Sequence, residues 1–284
     1  MSTIQNTTGP SRTEVDDRLH LVLSVNRQPV ALPVGVVREI LMAPKAMPLP
    51  GAPAWVRGVI DVRGDVMPLV DLRSRLGMPT QDEDTQALLQ LLRDREADHH
   101  RWLRELEASV REHRAFTLAR DPSKCAFGRW YASYRPENLA LQFLWNGFDA
   151  PHREIHAFAD VVLQAAERGE QELALRQIEE ARTGALGRLT TLFAEAAEAV
   201  SRTRRELAVV LSRDGAPVAL CADAADSVEM LTPAEDSAEL VAWAARGRGL
   251  VSGLARRTGD DGLLLVLDTD ALFASSGSGV TAAA

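Results

Sequence analysis

Two patterns of hydrophobic and polar positions divide this chain. At both ends, apolar residues come in short β-rich runs broken by turn residues, as in "LVLSVNRQPVALPV" and, much later, "VVLSRDGAPVALCA". These two stretches align without a gap. Val22-Leu23-Ser24 matches Val210-Leu211-Ser212, and Pro29-Val30-Ala31-Leu32 matches Pro217-Val218-Ala219-Leu220. Asp214-Gly215 is a strong hairpin signal, because both residue types accept the positive φ that a tight two-residue turn needs. Each copy continues to a Glu-apolar-Leu trio (Glu39-Ile40-Leu41; Glu229-Met230-Leu231) and an Arg-Gly pair (Arg57-Gly58; Arg248-Gly249). Each then closes on an apolar strand, in "MPLVDLRSRLG" and "LLLVLDTDALFA". The shared order predicts two related β subdomains.

Between the copies, over 84–204, the period changes. Leu88, Leu91, Leu92, Trp102, Leu103, Leu106 and Val110 recur at helical spacing, and 171–203 is rich in the strong helix formers Ala, Glu, Leu and Arg. Four helices are predicted, at about 85–118, 136–147, 150–168 and 171–204. An even number of antiparallel helices returns the chain to its starting end, as an insert must. The expected organisation is a disordered N-terminus at 1–17, a first β segment at 18–83, a helical insert at 84–204, a second β segment at 205–274 and a frayed tail at 275–284.

Composition narrows the partners. A net charge of -8 argues against nucleic acid. No apolar run approaches the length of a membrane span, and "LLLVL" at 263–267 is strand-sized. The polar opening "MSTIQNTTGPSRTE" has no signal-peptide core, and two cysteines suit a reducing cytoplasm rather than a disulfide scaffold.

The chemistry concentrates in the insert. Five of the six histidines, His99, His100, His113, His152 and His156, fall around Cys125. His152 and His156, four apart in "PHREIH", project from one helix face, with Asp149 and Pro151 as cap and first-turn residue. Imidazole and thiolate are the donors that suit zinc. One histidine from the first helix, Cys125 and the pair would complete a tetrahedral set. A zincin protease needs Glu after the first histidine, and that position is Arg153. No Glu-x-x-His motif of a di-iron bundle is present among these histidines. Four protein donors leave no open position for substrate, so the site reads as structural or regulatory rather than hydrolytic. Gly128, in "KCAFGRWYASYRP", reads as a tight turn anchored by Phe127 and Trp130. Cys221, alone in a strand, reads as core.

Two families share these motifs. Segments 18–79 and 205–274 resemble the CheW domain of bacterial chemosensory adaptors, through "PVGVVREIL", "LPGAPAWVRGVIDVRGDVMPLVDLRSRLG" and "LLLVLDTDAL". The insert resembles the chemoreceptor zinc-binding (CZB) domain, through "DHHRW", "CAFGRW" and "HREIH". The resemblance implies an α+β multidomain fold: a pair of SH3-like β-barrels with an inserted antiparallel four-helix bundle. It implies a Zn2+ site, and in that family the first ligand precedes a Trp by three positions. That selects His99, to join Cys125, His152 and His156. It also implies a non-enzymatic cytoplasmic adaptor coupling methyl-accepting receptors to the histidine kinase CheA. Arg63, with Gly64, matches the family's coupling arginine, and Val36 and Glu39 lie on its receptor-facing segment. Oxidants such as hypochlorous acid, or zinc itself, are the implied inputs, with Cys125 the redox residue. The alternative is a bundle that is purely structural or dimerising, including a homodimer through the helices.

Overall fold

In the computed structural model, residues 18–136, 138–202, 206–234, 249–257 and 262–277 are described. The expected disordered N-terminus, the last residues of the tail and Arg248 lie outside them. The chain forms two compact units. One joins Met1–Gln81 to Arg205–Ala284, and the other is the intervening Asp82–Arg204.

The first unit contains β1 (Leu19–Val25), β2 (Gln28–Pro33), β3 (Val37–Met42), β4 (Val56–Val62), β5 (Asp65–Asp71) and the short α1 (Leu72–Arg75). Three β-hairpins turn on residue pairs at positive φ: Asn26-Arg27, Arg63-Gly64 and Asp214-Gly215. That geometry matches the right-handed strand twist. The second, separated segment of this unit supplies β6 (Leu207–Arg213), β7 (Ala216–Ala222), β8 (Ala224–Pro233), β9 (Val251–Arg257) and β10 (Leu263–Leu267).

The repeat is present, but its strands are exchanged. β1-β2-β10-β9-β8 close a barrel, and β3-β6-β7-β5-β4 form a five-stranded sheet. Each sheet therefore takes a hairpin from one repeat and three strands from the other. The parallel pairings β2 with β10 and β7 with β5 are the symmetric seams. In the second sheet the chain after β3 crosses to the far edge, where Met47 and Val59 exchange backbone hydrogen bonds of 2.8 and 2.9 Å. Gly58 permits that approach: a Cβ there would lie 2.0 Å from the Met47 carbonyl oxygen. The main core is shared by both sheets, joining Leu21, Leu23, Val30 and Leu32 to Val209, Leu211, Val218 and Leu220.

Arg57, the neighbour of Gly58, ties the two chain segments of this unit together. Its guanidinium donates to both Glu206 carboxylate oxygens, at 2.5 and 2.6 Å, and through Nε to Asp71 Oδ2 at 2.8 Å. Asp71 ends β5 and caps α1 by accepting from the Ser74 backbone N–H. Glu206 is the first described residue on the chain's return from the helices, and its carbonyl accepts from Ala43 N–H. One cation thus ties the end of β5, which leads toward the helical unit, to the start of β6, which returns from it, with β7 lying between the two strands.

The second unit is helical: α2 (Gln81–Arg111), α3 (Ala126–Ser133), α4 (Leu139–Trp145), α5 (Asp149–Glu167), α6 (Gln171–Ala181) and α7 (Gly187–Arg202). The last two are continuous through a π-helical turn at Arg182–Leu186. One short helix, α4, stands where a helix was expected at 136–147, and α3 is a further helix in the stretch read from sequence as a loop. Pro136 disfavours helix at the residue before it, so α3 stops at Ser133. Asn138 then starts α4 by accepting from the Ala140 and Leu141 N–H groups. The first helix ends seven residues early, at Arg111, and residues 112–121 form an extended loop. Asp149 lies within α5 rather than capping it, paired with Arg153 at 3.1 Å. Buried Leu92, Leu103, Phe127, Phe148, Ile155, Val162, Leu189 and Phe193 make one core. The final helix, α8 (Thr269–Gly277), closes the β unit.

Candidate metal centre

Three elements of the helical unit each bring donors to one point. His99 lies in the middle of α2, Cys125 immediately precedes α3, and His152 and His156 occupy successive turns of α5. One donor atom from each of the four lies within 4.8 Å of all the others. Tetrahedral zinc with bonds of about 2.0–2.3 Å sets its donors roughly 3.4–3.6 Å apart, so the cluster has about the required size. The imidazole planes stand nearly perpendicular, at 81°, 81° and 87°, with centroids 4.9–5.9 Å apart. The nitrogens therefore converge while the rings do not stack.

Local hydrogen bonds orient the set. His99 Nδ1–H donates to the Arg95 carbonyl at 2.7 Å, which fixes the tautomer and leaves Nε2 with its lone pair for the site. His152 Nε2 lies 3.1 Å from Cys125 Sγ, and Sγ accepts from the Gly128 backbone N–H at 3.1 Å. Cys125 is thus the N-cap of α3, where the helix's positive end favours a thiolate. Gly128 is not in a turn, as its neighbourhood suggested, but in the first turn of α3. The residue is helical, and a Cβ on it would lie 1.9 Å from the Pro122 carbonyl oxygen and 3.3 Å from His152 Cε1. Glycine is required because backbone and ligand ring approach it on two sides.

The donors are electrostatically ready for a cation and unsatisfied without one. Buried His99 Nε2 and both ring nitrogens of buried His156 have no hydrogen-bond partner in good geometry. Such orphaned groups are costly, and their lone pairs are what a metal would take up. Burial, then the neighbouring rings, lowers His152 to about 3 and His156 to about 4. Backbone at Ala119 and Arg120 lies near enough to His156 to offset part of that fall. Burial likewise lowers His99 against its bond to Arg95. The imidazoles are therefore neutral at pH 7, as ligands must be. Burial raises the Cys125 thiol against the backbone N–H groups of Gly128 and Phe127. A bound zinc would supply the charge that holds it as thiolate.

Aromatic rings wall the donors. Phe127 meets His152 edge-on at 4.8 Å, and Trp102 lies 4.9 Å from His156. The Trp102 indole N–H donates to the Ala119 carbonyl at 2.8 Å, pinning the loop after α2 over the site. The spacing of residues around Cys125 gave no sign of this bond or of the Gly128 contact. Both depend on where the loop crosses, which periodicity does not encode. His100 stays outside, its Nε2 3.2 Å from Thr190 Oγ1, and His113 is exposed. Cys221 is buried in β7, and burial pushes its thiol up to about 12.

The residues implicated in partner binding lie in the β unit. Arg63 and Gly64 form the β4–β5 turn, with φ of 56° and 91°, and Gly64 N–H donates to Asp61 Oδ1 at 2.7 Å. The Arg63 side chain is 79% exposed, yet its Nη2 lies 3.1 Å from Glu39 Oε2 on β3. Val36 ends the single 3-10 turn before β3 and packs against the shared core.

A β-barrel scaffold in one unit and a donor set of one cysteine and three histidines in the other define a two-part metalloprotein. Comparison with known families identifies both parts. Residues 19–97 match the CheW-like domain and residues 99–163 the chemoreceptor zinc-binding domain, so the chain carries one after the other. Zinc is accordingly the metal of the helical unit, and the donor set suits it. Among curated relatives, the chain is 45% identical over 58 residues to "Chemotaxis protein CheW" of Rhizobium meliloti, covering 20% of this chain and 37% of that protein. It is 35% identical over 76 residues to the Bacillus subtilis protein of the same name, covering 26% and 49%. It is also 47% identical over 45 residues to "Protein PilI" of Pseudomonas aeruginosa, covering 16% and 25%. The chain thus spans less than half the length of each of these relatives. A solved scaffolding protein, TtCheW from Thermoanaerobacter tengcongensis, aligns at 10% identity with a TM-score of 0.39, over 94% of this chain and 91% of that one. No helix among the described residues is long and apolar enough to cross a membrane.

Proposed function

We propose that this chain is a non-enzymatic, cytoplasmic chemosensory adaptor that joins receptors to the histidine kinase CheA and carries its own zinc-dependent sensor. Zinc is held by His99, Cys125, His152 and His156. The β unit would meet receptor and kinase through the exposed Arg63–Gly64 turn, with Glu39 of β3 paired to Arg63 and Val36 contributing from the turn before β3. When bound, zinc supplies positive charge that keeps Cys125 ionised, and thiolates are the oxidisable form of cysteine.

The observation that carries the sensing role is a difference in burial within the donor set. The three histidines are buried, whereas Cys125, the one oxidisable donor, is only half-buried. With hypochlorous acid the thiolate sulfur gives up two electrons, takes the hydroxyl group and releases chloride. The balance is R–S⁻ + HOCl → R–SOH + Cl⁻. A sulfenic acid is a poorer donor than a thiolate, so α3 loses its tie to α5. Because the helical unit is joined to the β unit at both ends, such a change has two covalent routes to the adaptor.

The dense apolar and aromatic wall around the buried donors supports a second reading, in which zinc only stabilises the helices or a homodimer through them. The two part on one experiment with the zinc-loaded full chain. Titration with hypochlorous acid should produce Cys125 sulfenic acid by mass spectrometry, with zinc release in step. Zinc retained while Cys125 is oxidised, or a zinc site resistant to oxidant altogether, would leave the structural reading in place.

A further inference from the structure

The donor set is not sealed. A cavity of ≈ 230 Å³ opens beside it, and three of the four donor residues, His99, Cys125 and His156, line it. His152 does not; it stands behind Cys125, against Sγ. The cavity is graded from floor to rim. Its inner walls include buried Trp102 and Phe127, with half-buried Ala126 next to Cys125. Its outer lining includes exposed Leu118, Arg101 and Lys124. The charges there are already engaged, Arg101 with Asp98 at 2.7 Å and Lys124 with Asp121 at 3.6 Å. The lining carries no further lysine or arginine, and the two arginines that bear on Cys125 from outside it are engaged as well, Arg95 with Asp98 at 3.1 Å and Arg129 with the Lys124 carbonyl.

We propose that this cavity is a size- and charge-selective port to Cys125. It admits small uncharged oxidants such as hypochlorous acid and excludes peptide-sized or anionic thiol reagents. The inference rests on the reading that zinc sits on these four donors and that Cys125 is the residue oxidised. Three physical features support it. The volume is below the roughly 300 Å³ at which sites for drug-sized ligands begin. Moving an anion past aromatic walls costs its hydration before it comes near the metal, and the cations around the port are already engaged by acidic groups or backbone. The buried nitrogens of His99 and His156 at the floor are otherwise unpartnered, so the port leads to the metal site and not to a closed core.

A consequence concerns the fate of the product. The chain has two cysteines, and Cys221 is buried in the β unit. Buried within its own unit, Cys221 is not available to resolve the sulfenic acid, and a tripeptide thiol such as glutathione is kept out while the helices stay packed. The oxidised state should persist until the site loosens.

The test uses the zinc-loaded full chain and two variants that leave every donor intact. Ala126→Leu narrows the port beside the thiol, and Leu118→Ala widens its mouth. Residue-specific mass spectrometry follows Cys125 during reaction with hypochlorous acid and, separately, with a dianionic aromatic disulfide. Metal content is measured in parallel. Ala126→Leu should slow the hypochlorous acid reaction at least about tenfold, a barrier rise of about 1.4 kcal/mol. Leu118→Ala should speed the bulky disulfide about tenfold while leaving hypochlorous acid unchanged. Wild-type rates for both reagents in Leu118→Ala, or in a zinc-loaded Ala126→Leu, would overturn the port. Should Ala126→Leu fail to fold, Leu118→Ala decides alone. Selective oxidation of Cys125 without zinc release would instead defeat the sensing role and leave the port standing.

Discussion

At the residue scale, the metal site depends on side chains that hold the donors as much as on the donors themselves. His152→Ala removes a donor outright, whereas loss of a supporting outer contact typically weakens metal sites by about 10–100-fold. The variant should therefore lose at least about a hundredfold in zinc affinity, measured by competition with a chromophoric chelator. Gly128→Ala leaves all four donors in place but drives a methyl group toward the Pro122 carbonyl and the His152 ring. Overpacking of this kind costs about 1–3 kcal/mol, and here it should also weaken zinc binding by displacing His152. The two cysteines should differ sharply. In metal-free protein at pH 8, Cys125 should alkylate. Cys221, 4% exposed and with its thiol held protonated by burial up to about 12, should stay unmodified until the β unit unfolds. Equal labelling of both in native protein would contradict the burial of β7.

At the element scale, Arg57 is the most consequential polar residue of the β unit. Replacing it with Met leaves Asp71 and Glu206, both largely buried, without their cation. Breaking a buried ionic cluster from one side costs about 3–5 kcal/mol. The β unit should unfold at correspondingly lower urea concentration, while zinc content stays unchanged. Arg63→Ala should leave stability near wild type, because an exposed ion pair is worth about 0–1 kcal/mol. Under the proposed function it should nevertheless weaken capture by purified receptor tips or CheA. The elements also show what could be read from letters. The hairpin at Asp214-Gly215 and the helical period of 84–204 were legible because they are local. The strand exchange between repeats was not, since a repeat aligns equally well whether its strands pair at home or across. The pairing of His152 with His156 was legible because they share one helix face, whereas the choice of His99 over His100 came only from the family resemblance, and the structure clusters His99 with the others. The helix that starts at Cys125 was hidden by its glycine and by the prolines on either side.

At the scale of the whole molecule, the two units should respond to different agents. The exchange leaves the first β segment with two isolated hairpins, β1–β2 and β4–β5, because β2 also needs β10, β5 needs β7 and β3 pairs with β6. A chain ending at Gln81 should therefore show no cooperative β-sheet unfolding by circular dichroism. Calorimetry of the full chain should show two transitions, and a strong zinc chelator should lower only that of the helical unit, because a ligand stabilises only the fold that binds it. A shift of both transitions together would mean that the units unfold as one.

The central claim is that His99, Cys125, His152 and His156 share a single zinc ion. X-ray absorption spectroscopy at the zinc edge of the purified full chain tests it most directly. A first shell of one sulfur at about 2.3 Å and three imidazole nitrogens at about 2.0–2.1 Å is the predicted result. A shell without sulfur, or protein purified from zinc-replete cells that carries no zinc, would contradict it.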